Sequence, residues 1–138
     1  MGKRNDERKY AVRRGLHGLG LFSLRSFRKG RKIIEYIGKV IDDAEADRRS
    51  NRYIFGVQKD VNIDGATRRN LARYVNHACR PNCEDRIVGS RVFYIARRNI
   101  KTGEELTVDY GKEYFDHYIA PKGCRCRAKR HRKASLVE

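Results

Sequence analysis

The sequence lacks long hydrophobic runs, a secretory leader pattern and a large set of cysteines. No stretch reaches the roughly 18 consecutive apolar residues that a membrane-spanning helix requires. Near the start, no basic residues precede an apolar run and a small-residue cleavage site, so no signal peptide is predicted. We therefore expect an intracellular protein, in the cytoplasm or the nucleus, with no membrane contact. In such reducing surroundings the four cysteines are expected to be metal ligands or free thiols.

Acidic residues are also scarce. Only 17 aspartates and glutamates stand against 33 lysines and arginines, which gives a formal net charge of +16. The excess is concentrated at both ends, in residues 1–14 and 122–138. A surplus of this size favours polyanionic partners, so nucleic acid contact through the basic arms is one interpretation. The other is that these charges only keep the chain soluble.

What the chain does contain is a series of short runs rich in β-branched and aromatic residues. With 138 residues, 39% of them hydrophobic, it is long enough for one domain. Residues 17–22 are interpreted as a glycine-rich turn that runs into apolar residues, and residues 42–50, 68–76 and 113–119 as short helical segments. Strands are predicted at residues 9–13, 32–41, 53–57, 61–64, 86–88, 91–96 and 105–110. Because strands and helices do not alternate, the predicted class is α+β, mostly β.

Two segments contain residues that could bind a ligand or take part in catalysis, but each allows more than one interpretation. Gly18 and Gly20 would let a ligand approach the backbone closely, but the third glycine of a dinucleotide fingerprint is missing, and an ordinary turn is the simpler interpretation. Residues 73–83 read Arg-Tyr-Val-Asn-His-Ala-Cys-Arg-Pro-Asn-Cys. These side chains suit a metal site, a polar pocket or a cysteine nucleophile paired with His77.

Two further segments follow. Residues 104–111 read Glu-Glu-Leu-Thr-Val-Asp-Tyr-Gly, a predicted strand whose tyrosine would ordinarily pack with its hydroxyl in water. Cys124, Cys126 and His131 have the spacing of three ligands of a tetrahedral zinc ion. A fourth ligand would come from Cys79 or Cys83, and zinc binding would then order the basic tail. The alternative is a pair of free thiols in a disordered tail.

In this order, the segments resemble the SET-domain protein lysine methyltransferases, over about residues 10–131. Residues 17–22 are similar to the family's opening GxG segment. Residues 73–83 are similar to its Arg-Phe-x-Asn-His-x-Cys-x-Pro-Asn-Cys motif, with Tyr74 in place of Phe, and residues 105–110 to its Glu-Leu-Thr-x-Asp-Tyr motif. Cys124 and Cys126 are similar to the start of the family's post-SET zinc tail, although His131 stands where the family has cysteine.

The resemblance implies a SET-domain (β-clip) fold of small sheets with a C-terminal pseudoknot and a zinc-binding tail. It divides the chain into a basic N-terminal arm at 1–9, a SET domain at 10–119 and a post-SET-like tail at 120–138. The implied activity is S-adenosylmethionine-dependent methylation of lysine in a basic protein, either a histone or a ribosomal or DNA-packing protein. The oligomeric state does not follow from the motifs.

The resemblance also assigns residues to roles. Tyr110 is the implied catalytic residue, and Tyr36 and Val108 are the implied lining of the lysine channel. The implied cofactor-binding residues are His17, Gly18, Leu19, Gly20, Tyr53, Arg73, Asn76 and His77. The implied ligands of a structural zinc ion are Cys79, Cys124, Cys126 and His131, with Cys83 as the alternative to His131.

Two other functions compete with an enzyme. One is a catalytically inert SET-like module that holds chromatin or nucleic acid through its basic arms; the presence of Tyr110, Asn76 and His77 favours the enzyme. The other is a zinc-dependent nucleic-acid binder, but the chain lacks paired Cys/His fingers. For a basic substrate, we expect an acidic lining of the peptide groove. The candidates for this lining are Asp42, Asp43, Glu45, Asp47, Glu104 and Glu105.

Overall fold

The computed structural model describes residues 8–15 and 18–111. This part of the chain consists mostly of short strands in three small sheets, which confirms the predicted mostly β class. The first sheet has the order β1-β2-β10-β7, the second β3-β9-β8 and the third β4-β6-β5. The elements are β1 Tyr10–Gly15, β2 Gly18–Ser23, β3 Lys32–Tyr36, β4 Lys39–Ile41, α1 Asp43–Arg49, β5 Ile54–Gln58, β6 Val61–Asp64, the 3-10 helix η1 Leu71–Tyr74, β7 Asn76–His77, β8 Cys83–Val88, β9 Arg91–Ala96 and β10 Glu105–Val108.

Strand β10 changes partners along its length. Its first half pairs antiparallel with β2, with Leu106 opposite Leu21. Its second half pairs parallel with β7, with Thr107 opposite Asn76 and Val108 opposite His77. This switch brings the glycine-containing segment and the Asn-His segment to the two sides of one strand.

The interpretation of residues 17–22 as a turn was wrong for the described positions, because Gly18–Ser23 form β2. This strand is paired with β1 on one side and with β10 on the other, and Leu21 is completely buried. Glycine lowers the intrinsic strand preference, but two neighbouring strands and a buried leucine override it. The local sequence carries no sign of these partners.

Residues 32–41, predicted as one strand, form two strands in different sheets, so this prediction was also wrong. The break lies at Ile37 and Gly38, where the Ile37 N–H donates to Asn70 Oδ1 at 3.1 Å. A Cβ on Gly38 would lie 2.0 Å from the Asp64 carbonyl oxygen. The chain therefore passes from one sheet to the next at a residue that has no side chain.

This close approach makes Gly38→Ala strongly destabilising. We expect the variant to lose about 2 kcal/mol of folding free energy, because the Asp64 backbone must move to admit a methyl group. Gly56→Ala is the matched control, since its Cβ would meet only Asn62 Oδ1 at an ordinary 3.5 Å. Urea titration of both variants checks this; equal midpoints would contradict the proposed backbone clash.

The predicted short helix at 42–50 is confirmed as α1. Asp42 caps its start, accepting from the Glu45 N–H at 2.8 Å, and Ser50 ends it in the left-handed conformation with φ 49°. Glu45 binds Arg48 at 2.6 Å and Arg49 at 2.7 Å. Asp42 and Glu45, two of the acids predicted to line the peptide groove, thus stabilise α1.

The strands predicted at 61–64 and 91–96 are found with those bounds as β6 and β9, and the remaining predicted strands are found with shifted bounds. The predicted helical segment at 68–76 is only the 3-10 turn η1, and the predicted hairpin is the pair β8–β9, turning at Gly89 with φ 63°.

The core between the sheets includes the fully buried Leu21, Val92 and Leu106. Residues 113–119, predicted helical, lie outside the described residues. Within the described part, no helix has the length and apolarity needed to cross a membrane.

Candidate active site

Three of the sequence motifs meet at the junction of β2, β7 and β10. The Asn76 side-chain amide donates one hydrogen bond to the Leu19 carbonyl and one to Glu105 Oε2, each at 2.9 Å. One side chain from β7 thus joins the glycine segment on β2 to the start of β10. The three segments that carry the resemblance are therefore neighbours in space.

The backbone of the glycine segment is open at Gly18 and closely packed at Gly20. At Gly18, with φ 93°, a Cβ would have no heavy atom within 4 Å, and Leu19 is 48% exposed. At Gly20, a Cβ would lie 2.5 Å from Glu105 Oε2 and 3.2 Å from the Asn76 amide nitrogen. A side chain at position 20 would displace the Asn76–Glu105 pair, so glycine keeps this junction intact.

His77 and Tyr110 contact each other at the other end of β10. The Tyr110 N–H donates to His77 Nδ1 at 3.1 Å, and the two ring centroids are 5.5 Å apart. Because Nδ1 accepts this bond, the neutral imidazole carries its proton on Nε2. The Tyr110 hydroxyl donates a hydrogen bond to the Val75 carbonyl. The Val75 carbonyl, immediately before β7, and the His77 ring, on β7, thus fix the position of the tyrosine.

A group of tyrosines lies next to this end of the site. The Tyr36 hydroxyl donates to the Tyr53 carbonyl at 2.5 Å, and the Tyr36 ring lies 6.1 Å from the Tyr94 ring. Burial raises the pKa of the Tyr94 hydroxyl well above its usual value, with smaller contributions from Tyr110 and Tyr36. The buried side chains of Tyr36 and Tyr94 thus share one poorly hydrated region. The sequence reasoning missed Tyr94, although it lies on the buried, alternating face of β9.

Arg73 and Tyr53, both assigned to the cofactor pocket, are in contact. The guanidinium carbon of Arg73 lies 4.3 Å from the Tyr53 ring centroid, and Nη1 donates to the Ala66 carbonyl at 2.7 Å. Arg73 Nε is buried and has no hydrogen-bond partner within the described residues. Hydrogen bonding with the Tyr53 side chain raises the pKa of the Arg73 guanidinium, so Tyr53 is its principal side-chain partner here. Arg73 belongs to η1, which packs against β2 and β3.

The residues predicted to line the lysine channel are buried. Tyr36 is 6% exposed and Val108 is 2% exposed. Val108 lies opposite His77 in the parallel pairing of β10 with β7. Both side chains therefore belong to the core next to the tyrosine group, and His17, the remaining predicted cofactor residue, lies outside the described residues.

Asn82 and Glu105 are site residues whose roles the sequence reasoning did not find. Asn82 Oδ1 accepts from the Thr107 N–H at 2.8 Å, and Asn82 Nδ2 donates to the Glu105 carbonyl at 2.9 Å. The side chain of Asn82 therefore fastens the segment after the Asn-His motif to β10. Its place next to a proline and a cysteine was visible, but which strand it would bind was not.

The two described cysteines differ in their surroundings. Cys79 is partly buried, with its sulfur 3.6 Å from His77 Nε2. Cys83 is 1% exposed, and burial raises the pKa of its thiol to about 12. Within residues 8–15 and 18–111, no group of three or more His, Cys, Asp or Glu side chains could hold a metal ion. The predicted ligands Cys124, Cys126 and His131 lie outside these residues.

Comparison with known proteins decides the family. The SET domain model matches residues 18–111, which include every element from β2 to β10. The chain belongs to the SET domain family. The match contains the glycine segment, the Asn-His segment and Tyr110, which meet around β10 in this SET domain.

Curated relatives of this SET domain carry methyltransferase names. The chain is 41% identical over 108 residues to "Histone-lysine N-methyltransferase, H3 lysine-4 specific" of Schizosaccharomyces pombe, covering 69% of this chain and 12% of that protein. It is 37% identical to "Histone-lysine N-methyltransferase trr" of Drosophila melanogaster, covering 90% and 6%. It is 36% identical to human "Histone-lysine N-methyltransferase 2D", covering 90% and 2%. The chain thus spans only a small part of the length of these relatives.

Proposed function

We propose that this SET domain is an S-adenosylmethionine-dependent protein-lysine N-methyltransferase. The observation that carries the proposal is the convergence of the Gly18–Gly20 backbone, Asn76, His77 and Tyr110 around β10. The methyltransferase names of the relatives support the same reaction class. The inert-module alternative gains no specific support from the described residues.

The described residues fit the proposed cofactor. When bound, S-adenosylmethionine supplies a methyl group on a positively charged sulfur. Open backbone at Gly18 and Leu19 would receive its amino-acid part, with Asn76 bordering the same space. The Arg73 guanidinium, stacked on the Tyr53 ring, would border this pocket. We propose that His17 and Gly20 complete this pocket.

The tyrosine group is suited to receive the substrate lysine. A free lysine has a pKa of about 10.4, so its amine must lose a proton before it can attack a methyl group. A poorly hydrated channel disfavours the ammonium form, and the buried hydroxyls of Tyr36 and Tyr94 mark such a region. We propose that Tyr110 orients the neutral amine nitrogen for in-line attack and that Val108 limits the space around it.

The substrate is proposed to be a histone tail, and the site of action chromatin. The relatives are named for histone lysine, and one of them for lysine 4 of histone H3. Ribosomal and DNA-packing proteins are the alternative basic substrates. An acidic lining of the peptide groove remains a prediction. Of its candidates, Glu104 binds Arg98 at 2.8 Å and Glu105 binds Asn76 at 2.9 Å.

We also propose the finer organisation that the resemblance implies: an arm at 1–9, a SET domain at 10–119, a tail at 120–138 and a C-terminal pseudoknot. The hydrogen bonds that join the Asn82 side chain to the backbone of Glu105 and Thr107 support close association of β10 with the segment it would thread beneath. Cys79, Cys124, Cys126 and His131 are the proposed ligands of a structural zinc ion. Cys83 is 1% exposed and its thiol donates to Asn82 Oδ1 at 3.4 Å, which supports His131 over Cys83 as the fourth ligand.

Zinc content tests this ligand set. Wild-type protein is expected to hold about one zinc ion per chain, and Cys124→Ser to lose most of it, because a three-ligand site binds far more weakly. Cys83→Ala is the matched control and should retain its zinc. Elemental analysis of desalted protein measures both variants. Loss of zinc from Cys83→Ala would make Cys83 the fourth ligand in place of His131, and retention of zinc in Cys124→Ser would remove Cys124 from the site.

Transfer of a labelled methyl group tests the function as a whole. The full chain would be incubated with labelled S-adenosylmethionine and, separately, with histone H3, mixed ribosomal proteins and DNA-packing proteins. Label on a lysine, identified by mass spectrometry, is the expected result, with histone H3 as the best substrate. Calorimetry of cofactor binding is run in parallel; absence of both binding and transfer in folded protein would refute the proposal.

A further inference from the structure

Two loops meet where β2 ends and β10 begins, at the opposite end of β2 from Gly18 and Leu19. One is the segment 24–31 between β2 and β3, and the other is the segment 97–104 between β9 and β10. Phe27 and Ile100 exchange backbone hydrogen bonds of 2.9 and 2.8 Å, and both side chains are buried. The Ala96 N–H donates to the Arg31 carbonyl at 2.8 Å. Backbone pairing and two buried anchors thus make the loops one fixed surface.

This surface is strongly cationic. Its exposed basic residues, which we call the loop cation surface, are Arg25, Arg28, Lys29, Arg31, Arg97, Arg98 and Lys101. The only acidic residue in the two segments is Glu104, and it binds Arg98 at 2.8 Å. None of the other six cations has an ion-pair partner within the part of the chain that the structure describes. Fixed positive charge without internal compensation favours an anionic partner.

The absence of exposed large hydrophobic residues from this surface distinguishes a nucleic acid from an acidic protein as its partner. The exposed large hydrophobic residues of the described chain are Leu19, Ile37, Val40, Ile87 and Val88, and none of them lies in the two loops. Protein interfaces are centred on apolar and aromatic residues that the partner covers, and the two loops expose no such large residue. Contacts with a nucleic-acid backbone are mostly charged hydrogen bonds from arginine and lysine to phosphate. The composition therefore fits a phosphodiester backbone better than an acidic protein.

We propose that the loop cation surface binds the backbone of double-stranded nucleic acid without regard to sequence. A duplex carries about one negative charge per 1.7 Å of its axis, so several of these cations could contact phosphates together. Ser23, where the surface begins, lies four residues from Leu19 along β2, or about 13 Å. A duplex bound at this surface would therefore lie beside the candidate active site. The proposal is independent of the methyltransferase activity.

The test is fluorescence anisotropy of a labelled duplex of mixed sequence, titrated with the full chain at several salt concentrations. The variant combines Arg28→Gln, Lys29→Gln and Arg31→Gln. Its matched control combines Lys39→Gln, Lys59→Gln and Arg86→Gln, three exposed cations elsewhere, so both variants have the same net charge and retain both basic arms. Thermal melting verifies that both are folded.

We expect the loop variant to bind the duplex at least about tenfold more weakly at low salt. The slope of log affinity against log salt should fall by about 2 to 3, because each phosphate that the variant no longer binds lowers it by about one unit. The control should bind like wild type, and the charge-retaining pair Arg28→Lys with Arg31→Lys should remain close to wild type. Parallel titrations with duplex DNA and duplex RNA identify the preferred nucleic acid.

Two results would overturn the proposal. One is equal binding by the loop variant and its control, which would assign the affinity to the basic arms or to diffuse charge. The other is equally strong binding of polyglutamate or phosphatidylserine vesicles that depends on the same three residues, since this surface would then recognise anions in general.

Discussion

Tyr110→Phe is expected to lower kcat for methyl transfer by about 100- to 1,000-fold while cofactor affinity stays unchanged. The hydroxyl is held by the Val75 carbonyl, and the backbone of Tyr110 by His77 Nδ1, so the phenol is already positioned before substrate binds. Without it, the amine nitrogen loses the group that orients it for in-line attack. Single-turnover kinetics with labelled S-adenosylmethionine measure the effect.

Tyr10→Phe is the control for this substitution. It removes a hydroxyl from a partly buried tyrosine on β1, a strand that does not pair with β7 or β10. Its kcat should equal that of wild type. Loss of the hydrogen bond to Val75 costs Tyr110→Phe about 1 kcal/mol of stability, which thermal melting separates from the kinetic effect. Full activity in folded Tyr110→Phe would remove Tyr110 from the mechanism.

Asn76→Asp is expected to weaken S-adenosylmethionine binding by about 100-fold. The Asn76 amide donates to the Leu19 carbonyl and to Glu105 Oε2, and a carboxylate of the same shape can donate to neither. It would also place a negative charge against Glu105, so the glycine segment would move away from β10. Loss of two hydrogen bonds, one of them to a charged group, is worth about 2 to 3 kcal/mol.

The control is Asn99→Asp. It makes the same change of charge in an exposed residue whose Oδ1 only accepts, from the Lys29 N–H at 2.9 Å, and aspartate preserves this bond. Calorimetric titration of both variants with the cofactor gives the dissociation constants. If Asn76→Asp bound the cofactor as tightly as Asn99→Asp, then Asn76 would serve only to join β2 to β10. Melting curves show whether each variant remains folded.

Local sequence was sufficient for elements whose signals lie within a few residues. Helix α1 follows from a capping aspartate and acidic first turn, and the β8–β9 hairpin from two apolar runs around Gly89. Local sequence did not predict β2 or the break between β3 and β4 after Tyr36. In both places the conformation depends on partners distant in the sequence: β1 and β10 for the first, and the Asp64 backbone and Asn70 for the second.

The same distinction holds for the candidate site. The residue types and their spacing determined the family, because the Asn-His motif, the Glu-Leu-Thr-x-Asp-Tyr motif and the glycine pair can be recognised in the sequence. Only the tertiary structure determined that Asn76 bridges Leu19 and Glu105, and that Tyr94 joins Tyr36 beside Tyr110. The loop cation surface likewise arises because Phe27 pairs with Ile100. Sequence determines which groups are present, while long-range backbone pairing decides which of them meet.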